Sequence, residues 1–332
     1  MSKRAVIGID IGGTKTMAAL FNDKFCVIAK RRFKTESGRG DATFERRLRG
    51  AVNSLLKTAK VQQREVIATG IGCSGSVDLE TMGLQISPHI PFLKDYPLTQ
   101  KMAEWTKSDV YLGNDVQMGL YGEHQLGAAQ GCAHVIGIFI GTGIGGALII
   151  NGKLHRGANG IAGDIGHYLV QPLGSVGGRE RQGMLDNIAS RTAIAGEAAV
   201  FASRQWAPHL WKMAGTDIGK IRSKTLARAI EAGDKEIEKL VRSRARIVGI
   251  VLSNLIDFIN PDAVVLGGGL IEEMGELFLA GVKGGIQEYS TASASKQLKI
   301  LTTKLKSYAV AMGAAKMALD VYTEKEQSRQ DS

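Results

Sequence analysis

Val6-Ile-Gly-Ile-Asp-Ile-Gly-Gly-Thr-Lys-Thr-Met-Ala-Ala-Leu20 decides the fold, because the chain contains it twice. The second copy is Val135-Ile-Gly-Ile-Phe-Ile-Gly-Thr-Gly-Ile-Gly-Gly-Ala-Leu-Ile149, and roughly half of the aligned positions are identical. Each copy reads as an apolar strand, a Gly/Thr turn and a second apolar strand. A turn of this composition suits phosphate: glycines let the backbone approach an anion closely, and successive N–H groups can point at its oxygens with Thr hydroxyls beside them. Two such turns predict two lobes on one plan, gripping one phosphate chain. Gly8–Thr16 is not a P-loop, since it lacks the Gly-Lys-Ser/Thr ending and runs into a strand rather than a helix.

Outward from the first copy, residues 4–11, 16–21 and 25–33 read as a three-stranded meander. A helix fits 41–60, where Phe44, Leu48, Ala51, Val52, Leu55 and Leu56 recur at helical spacing. Val66–Cys73 is a buried strand, followed by a loop over Ser87–Pro97, a helix to about Lys107, strand Val110–Leu112 and helix Val116–Leu126. This order, βββαβαβ, is that of a ribonuclease-H-like lobe. The second copy opens another lobe at about 134, with a long helical stretch over Asp186–Arg204, helices at 223–232 and 234–259, strand Ala263–Leu266, helix 271–287, strand 298–302 and helix 307–322. The expected fold is α/β, two such lobes with an interlobe cleft. Residues 1–115 with about 309–322 form the smaller lobe, 116–308 the larger, and 323–332 a polar, unstructured tail.

The 332 residues are 44% hydrophobic and 22% charged, which is ordinary for a folded globular protein. The longest apolar run, Ile247–Ile259, is broken by Gly249, Ser253, Asn254 and Asp257, so it falls short of the roughly 20 apolar residues a membrane span needs. No signal-peptide pattern precedes the first strand, and a cytoplasmic location is expected. Cys26, Cys73 and Cys132 are odd in number and widely spaced, which predicts free thiols rather than disulfides or a metal site. The net charge of +10 suits an anionic partner. Its basic residues are dispersed, however, without aromatic interleaving or a nucleic-acid module, so nucleotides or polyphosphates fit better than nucleic acid.

Asp10 stands at the end of the first strand beside a phosphate turn, where a carboxylate calls for a cation such as Mg²⁺ between them; the alternative is a turn Asp capping backbone amides. Asn114-Asp115 ends a strand just before a helix, the rim where α/β folds place their sites. Asp115 there is either a helix N-cap or a base that takes a proton from a substrate hydroxyl. Gly157-Ala-Asn-Gly-Ile-Ala-Gly-Asp-Ile-Gly-His167 is too glycine-rich for an element interior. Its Asp164 and His167 can grip sugar hydroxyls or be incidental loop residues. Gly267-Gly-Gly269, between a strand and a helix, is a nucleotide-contacting turn or a plain tight one.

Together, Asp10-Ile-Gly-Gly-Thr-Lys15, Gly113-Asn-Asp115, Gly141-Thr-Gly-Ile-Gly-Gly146, Ala162-Gly-Asp-Ile-Gly-His167 and Val264-Val-Leu-Gly-Gly-Gly269 resemble the ROK family of sugar kinases and sugar-responsive repressors, in order from residue 4 to about 320. The resemblance implies the fold shared by actin, hexokinase and Hsp70. It assigns Asp115 as catalytic base and Asn114 as a sugar-hydroxyl ligand, with Gly75 on the sugar side. Asp10, Gly12, Gly13, Thr14 and Lys15 form the first phosphate loop, Asp10 also reaching Mg²⁺ directly or through water. Gly141, Thr142 and Gly143 belong to the second loop, Gly267, Gly268 and Gly269 to the adenosine side, and His167 matches a residue that touches the sugar or ligates zinc.

Several departures stand out. Family members commonly carry Glu-Ile-Gly-His where this chain has Asp164-Ile-Gly-His167, and a cysteine-rich zinc site where it has Gly177-Gly-Arg-Glu-Arg-Gln-Gly-Met-Leu-Asp186. Without thiolates no structural zinc is expected. Asp186 again replaces Glu, so two sugar-hydroxyl acceptors are retracted together, which fits a displaced sugar, a different sugar or water-bridged contacts. Ser87-Pro-His-Ile-Pro91 replaces an Asn-containing sugar loop, with His89 in place of an amide contact. The implied function is ATP·Mg²⁺-dependent phosphorylation of a hexose, glucose by default, by a homodimer. Alternatives are a polyphosphate donor, an N-acetylhexosamine acceptor, or a sugar-sensing repressor. The repressors carry a DNA-binding helix-turn-helix before the first phosphate loop, and only Met1–Arg4 precedes the strand here, so no DNA-binding module is expected.

Overall fold

Both copies of the repeat fold as the predicted strand pairs, but with different registers. In a computed structural model that describes residues 3–171 and 183–330, other than Ser37, Arg39, Leu79, Pro88, His89 and Asp95, β1 (Lys3–Ile11) pairs antiparallel with β2 (Lys15–Asn22), Ile11 facing Thr16. In the second copy β8 (Val135–Ile140) pairs with β9 (Ile144–Ile150), and here Ile140 faces Ile144. The second turn is therefore one residue shorter than the first.

The first hairpin is extended by β3 (Val27–Lys34) and followed by α1 (Asp41–Val61), β4 (Arg64–Cys73), the short pair β5 (Ser76–Val77) and β6 (Leu84–Ile86), α2 (Leu98–Thr106), β7 (Asp109–Asn114) and α3 (Asp115–Leu126). Its sheet runs β3-β2-β1-β4-β7, with β4 parallel to β1 and β7 parallel to β4. The second hairpin is extended by β10 (Lys153–His155). Then come α4 (Leu185–Ala189), α5 (Arg191–Ser203), α6 (Pro208–Ala214), α7 (Ser223–Glu231), α8 (Lys235–Ile259), β11 (Ala263–Gly267), α9 (Gly269–Tyr289), α10 (Ala292–Ser295), β12 (Lys299–Thr302) and α11 (Ala309–Gln330). The second sheet, β10-β9-β8-β11-β12, repeats the order of the first, so the mixed α/β class and the duplicated ribonuclease-H-like plan both hold.

The chain divides into two compact units. The first comprises Met1–Gly131, Leu154–Ala162 and Ser307–Ser332, the second Cys132–Lys153 and Gly163–Lys306. The boundary expected after Asp115 thus falls beyond α3, because α3 lies on the backbone of α11. A Cβ added at Gly313 would stand 1.8 Å from the Met118 carbonyl oxygen, and one at Gly122 2.6 Å from that of Ala309.

Period-two alternation gives β1 two buried faces. Ala5, Ile7, Ile9 and Ile11 pack with Phe44, Leu48, Val52 and Leu55 of α1, while Val6 faces the layer of Met118 from α3 and Ala311, Ala314 and Ala315 from α11. That second layer is unusually thin, since Cβ atoms added at Gly8 and Gly70 would each fall 1.9 Å from an α11 carbonyl oxygen. The helix continues to Gln330, past the expected start of the tail, with Lys325 reaching Asp109 at 3.1 Å. In the second unit, Ile136, Ile138 and Ile140 join the core of α5, α7, α8 and α9. The helix expected over 186–204 is broken at Ser190, whose extended backbone (ψ 161°) lets its Oγ accept from the Ala193 amide at 3.2 Å and cap α5. Among the described residues, no helix is long and apolar enough to cross a membrane, and Cys26, Cys73 and Cys132 are free thiols.

Candidate functional site

In the first unit the candidate residues gather at the C-terminal ends of three parallel strands. Asp10 of β1 is level with Gly72 of β4, and Gly72 with Gly113 of β7. Gly72 has no side chain to fill the row, and the Asp115 Cα lies 3.5 Å from where its Cβ would stand. The two carboxylates therefore share one low-dielectric patch. Burial, and then Asp115, push the Asp10 carboxyl up to about 7, with Lys15 and Arg32 pulling the other way. The same burial and the same two acids raise the Cys73 thiol, which is inert as a nucleophile in consequence.

The first turn is held open by a strap. Gly12 N–H donates to the Lys15 carbonyl at 3.1 Å, while Thr35, just beyond β3, donates from its amide to the Thr14 carbonyl at 3.0 Å and from Oγ1 to the Gly12 carbonyl at 2.6 Å. Thr35 and Thr16, both fully buried, also join hydroxyls at 3.0 Å. This fixes the carbonyls on one side and leaves Gly13, Thr14 and the exposed Lys15 at the tip.

Asn114, not Asp115, caps α3: its Oδ1 accepts from the Gln117 amide at 3.1 Å, and its Nδ2 donates to the Gly75 carbonyl at 3.0 Å. Asp115 Oδ1 accepts from the next amide, that of Val116, at 2.9 Å, so both residues hold amides of the first turn of α3. Gly75 is irreplaceable on two counts, a φ of +134° and an Ile86 carbonyl oxygen 2.0 Å from where a Cβ would stand. Ser87 secures the same wall, donating to the Ser74 carbonyl at 2.9 Å. His89 lies outside the described residues.

In the second unit the shorter turn is braced from α4 and α5. The Ile144 amide donates to Asp186 Oδ1 at 2.5 Å, the Arg191 amide to the Gly141 carbonyl at 3.0 Å, and Thr192 Oγ1 to the Thr142 carbonyl at 2.7 Å. Asp186, expected on the sugar side, thus supports the turn. Gly268, with φ +91°, closes against the end of β8; a Cβ there would meet the Ile140 carbonyl oxygen at 2.5 Å. Gly267, Gly268 and Gly269 are therefore neighbours of the Gly141–Gly143 turn.

Asp164 turns its carboxylate to its neighbour His167, whose Nδ1 lies 2.8 Å from Asp164 Oδ2, with both side chains about half exposed. The Leu169–Met184 bridge and the Leu185 amide on the Tyr168 carbonyl (2.9 Å) bring this segment alongside that of Asp186. The glycines around it serve packing. Cβ atoms at Gly163 and Gly166 would strike the β9 backbone at 2.7 and 2.1 Å. Residues 172–182, which hold most of the stretch replacing the cysteine-rich loop, lie outside the described residues.

The ROK family profile matches residues 6–321, nearly the whole chain. The chain belongs to the ROK family. Similar ROK-type proteins include a glucokinase from Thermotoga maritima, 29% identical over 321 residues covering 95% of this chain and 97% of the relative. The solved ROK glucokinase from Streptomyces griseus, in complex with glucose and AMPPNP, superposes with a TM-score of 0.80 at 28% identity, covering 95% of this chain and 99% of that one. The ROK hexokinase from Thermus thermophilus gives 0.77 at 28% identity, covering 96% and 99%. These neighbours share the actin-like ATPase fold that the duplicated sheets display.

Asp10 fits Mg²⁺: a hard oxygen donor that burial, and then the neighbouring Asp115, already raise, beside a turn suited to phosphate. Four residues that brace one of the two turns or act on Asp10 were not read from sequence. Thr35, Arg32, Arg191 and Thr192 sit far along the chain from the turns they serve. The one local signal was Ser190, an N-cap residue placing Arg191 and Thr192 in the first turn of a helix.

Proposed function

We propose that this ROK-family sugar kinase transfers the terminal phosphoryl group of ATP to a hydroxyl of glucose, with Asp115 as general base. The observation that carries the reading is that Asp115, at the start of α3, shares a half-buried patch with an Asp10 raised to about 7. Asp115 accepts the hydroxyl proton as the substrate oxygen attacks phosphorus. The new O–P bond forms, the bond to the leaving diphosphate breaks, and the proton stays on the Asp115 carboxyl until product leaves. Mg²⁺, held by Asp10 directly or through water, supplies charge neutralisation on the phosphates. Lys15 and the tip of the first turn sit with the transferring phosphate. The Gly141–Gly143 turn and Gly267–Gly269 hold the rest of the donor.

On the acceptor side, Asn114 retains one N–H and one lone pair for a sugar hydroxyl after its two internal bonds. His167, oriented by Asp164, offers Nε2 to another. Asp164 and Asp186 act on the sugar through the groups they support or through water. A coupled assay crossing hexoses and N-acetylhexosamines with ATP and polyphosphate tests the reading. Turnover is expected to be fastest with glucose and ATP, and no turnover with any pair would sink it in favour of a sugar sensor.

A further inference from the structure

We propose that Arg191, assisted by Arg222, binds the phosphate chain of the donor at the Gly141–Gly143 turn; this rests on the kinase reading above. Arg191 is the first residue of α5, and its guanidinium is held over the turn by Nη2, which donates to Thr142 Oγ1 at 3.3 Å. On its other side Nη1 reaches the Ile221 carbonyl at 3.4 Å, next to Arg222. Both contacts are to neutral oxygens. Among the described residues, no carboxylate pairs with Arg191 or Arg222, although other arginines of the same unit are paired, Arg242 with Glu238, Arg244 with Glu197 and Arg246 with Glu288.

Like-charged guanidiniums repel one another unless an anion lies between them. Burial and then Arg222 hold Arg191 below the usual guanidinium range. An anion at the turn relieves that repulsion, and a phosphate chain is the anion whose paired oxygens match a guanidinium fork. Ser223, the residue after Arg222, lies beside the glycine turn, its Oγ 3.3 Å from where a Gly269 Cβ would stand. The ligand chemistry is that of a linear triphosphate, whether from a nucleotide or from inorganic polyphosphate.

The test titrates Mg²⁺-tripolyphosphate and ATP calorimetrically into the full chain, and measures KM for donor and sugar, in wild type, Arg191→Ala, Arg191→Lys and Arg222→Ala. Arg191→Ala is expected to weaken donor binding by about tenfold or more, the loss typical of one charge-assisted hydrogen bond, with sugar KM little changed. Arg191→Lys recovers part of the loss, and Arg222→Ala shows a smaller one. A wild type that takes ATP alone names the nucleotide as the source, and one that takes both names the phosphate chain itself. Arg191→Ala with wild-type affinity and an intact thermal transition overturns the proposal. Should that variant fail to fold, unchanged affinity in Arg222→Ala, an exposed position, overturns it instead. A wild type that binds neither donor removes the kinase reading together with this one.

Discussion

The first Gly/Thr turn has four residues between its paired strand ends and two carboxylates beneath it; the second has three, and is braced by Asp186, Thr192 and Arg191. One hairpin, copied, has become two devices. The first is electrostatically incomplete, with an Asp10 that burial and then Asp115 hold raised. The second has Asp186 committed to a backbone amide and a guanidinium over its threonine, an arrangement that suits anions. Duplication supplied the backbone, and residues from outside the hairpins supplied the difference.

The comparison breaks most severely if the first turn does not carry the chemistry. Asp115→Asn should lower kcat by about 10²–10⁴-fold, the usual worth of a general base, while calorimetry shows sugar affinity within a few-fold of wild type. Near-full activity would remove Asp115 from its role. Asp10→Asn should also cost activity, but its sharper signature is stability. Because the folded chain holds the Asp10 proton more tightly than the unfolded chain does, this contribution is complete below about pH 4 and is lost as pH rises through 7. Without Mg²⁺ at pH 8, Asp10→Asn should therefore be more stable than wild type, by up to about 4 kcal/mol. Added Mg²⁺ should raise the wild-type Tm and not the variant's; identical pH profiles by thermal melts would contradict the charge conflict.

On the second turn, Asp186→Ala orphans the Ile144 amide and should raise donor KM by about tenfold, with sugar KM following only if Asp186 also serves the sugar. The smallest effect is expected from Thr35→Val, which removes two hydroxyl bonds of the strap at about 1 kcal/mol. A Tm indistinguishable from wild type would show that the Thr35 amide alone holds the first turn.

The fold was legible because its signal is periodic: two hairpins, alternating strands and the helical spacing of Phe44, Leu48 and Leu55. The register difference was not, since an ungapped alignment of the copies hides a residue lost at the turn. The break at Ser190 and the helix at Pro208–Ala214 carried cap signals, a serine and a proline at N1, that the strong apolar run around them overrode. Of the candidate site, Asp10 and Asp115 were legible as an acid beside a Gly/Thr turn and an acid at a strand end, but each also allowed a capping role, and the family resemblance assigned the chemistry. The partner of Asp164, His167, stood in the same motif, whereas Asp186 is oriented by the Ile144 amide, 42 residues away. Arg191 and Thr35 were invisible for the same reason.

The thin layer beneath the first sheet, where Gly8 and Gly70 admit α11 backbone to backbone, also sets a timetable for synthesis. All of the second unit lies within residues 132–306, but the first waits for residues 307–332. On a growing chain the later unit can therefore finish folding before the earlier one, whose N-terminal strands must stay unsealed until the final helix is made. Asp10 and Asp115 are thus made before the second unit and enclosed only after α11.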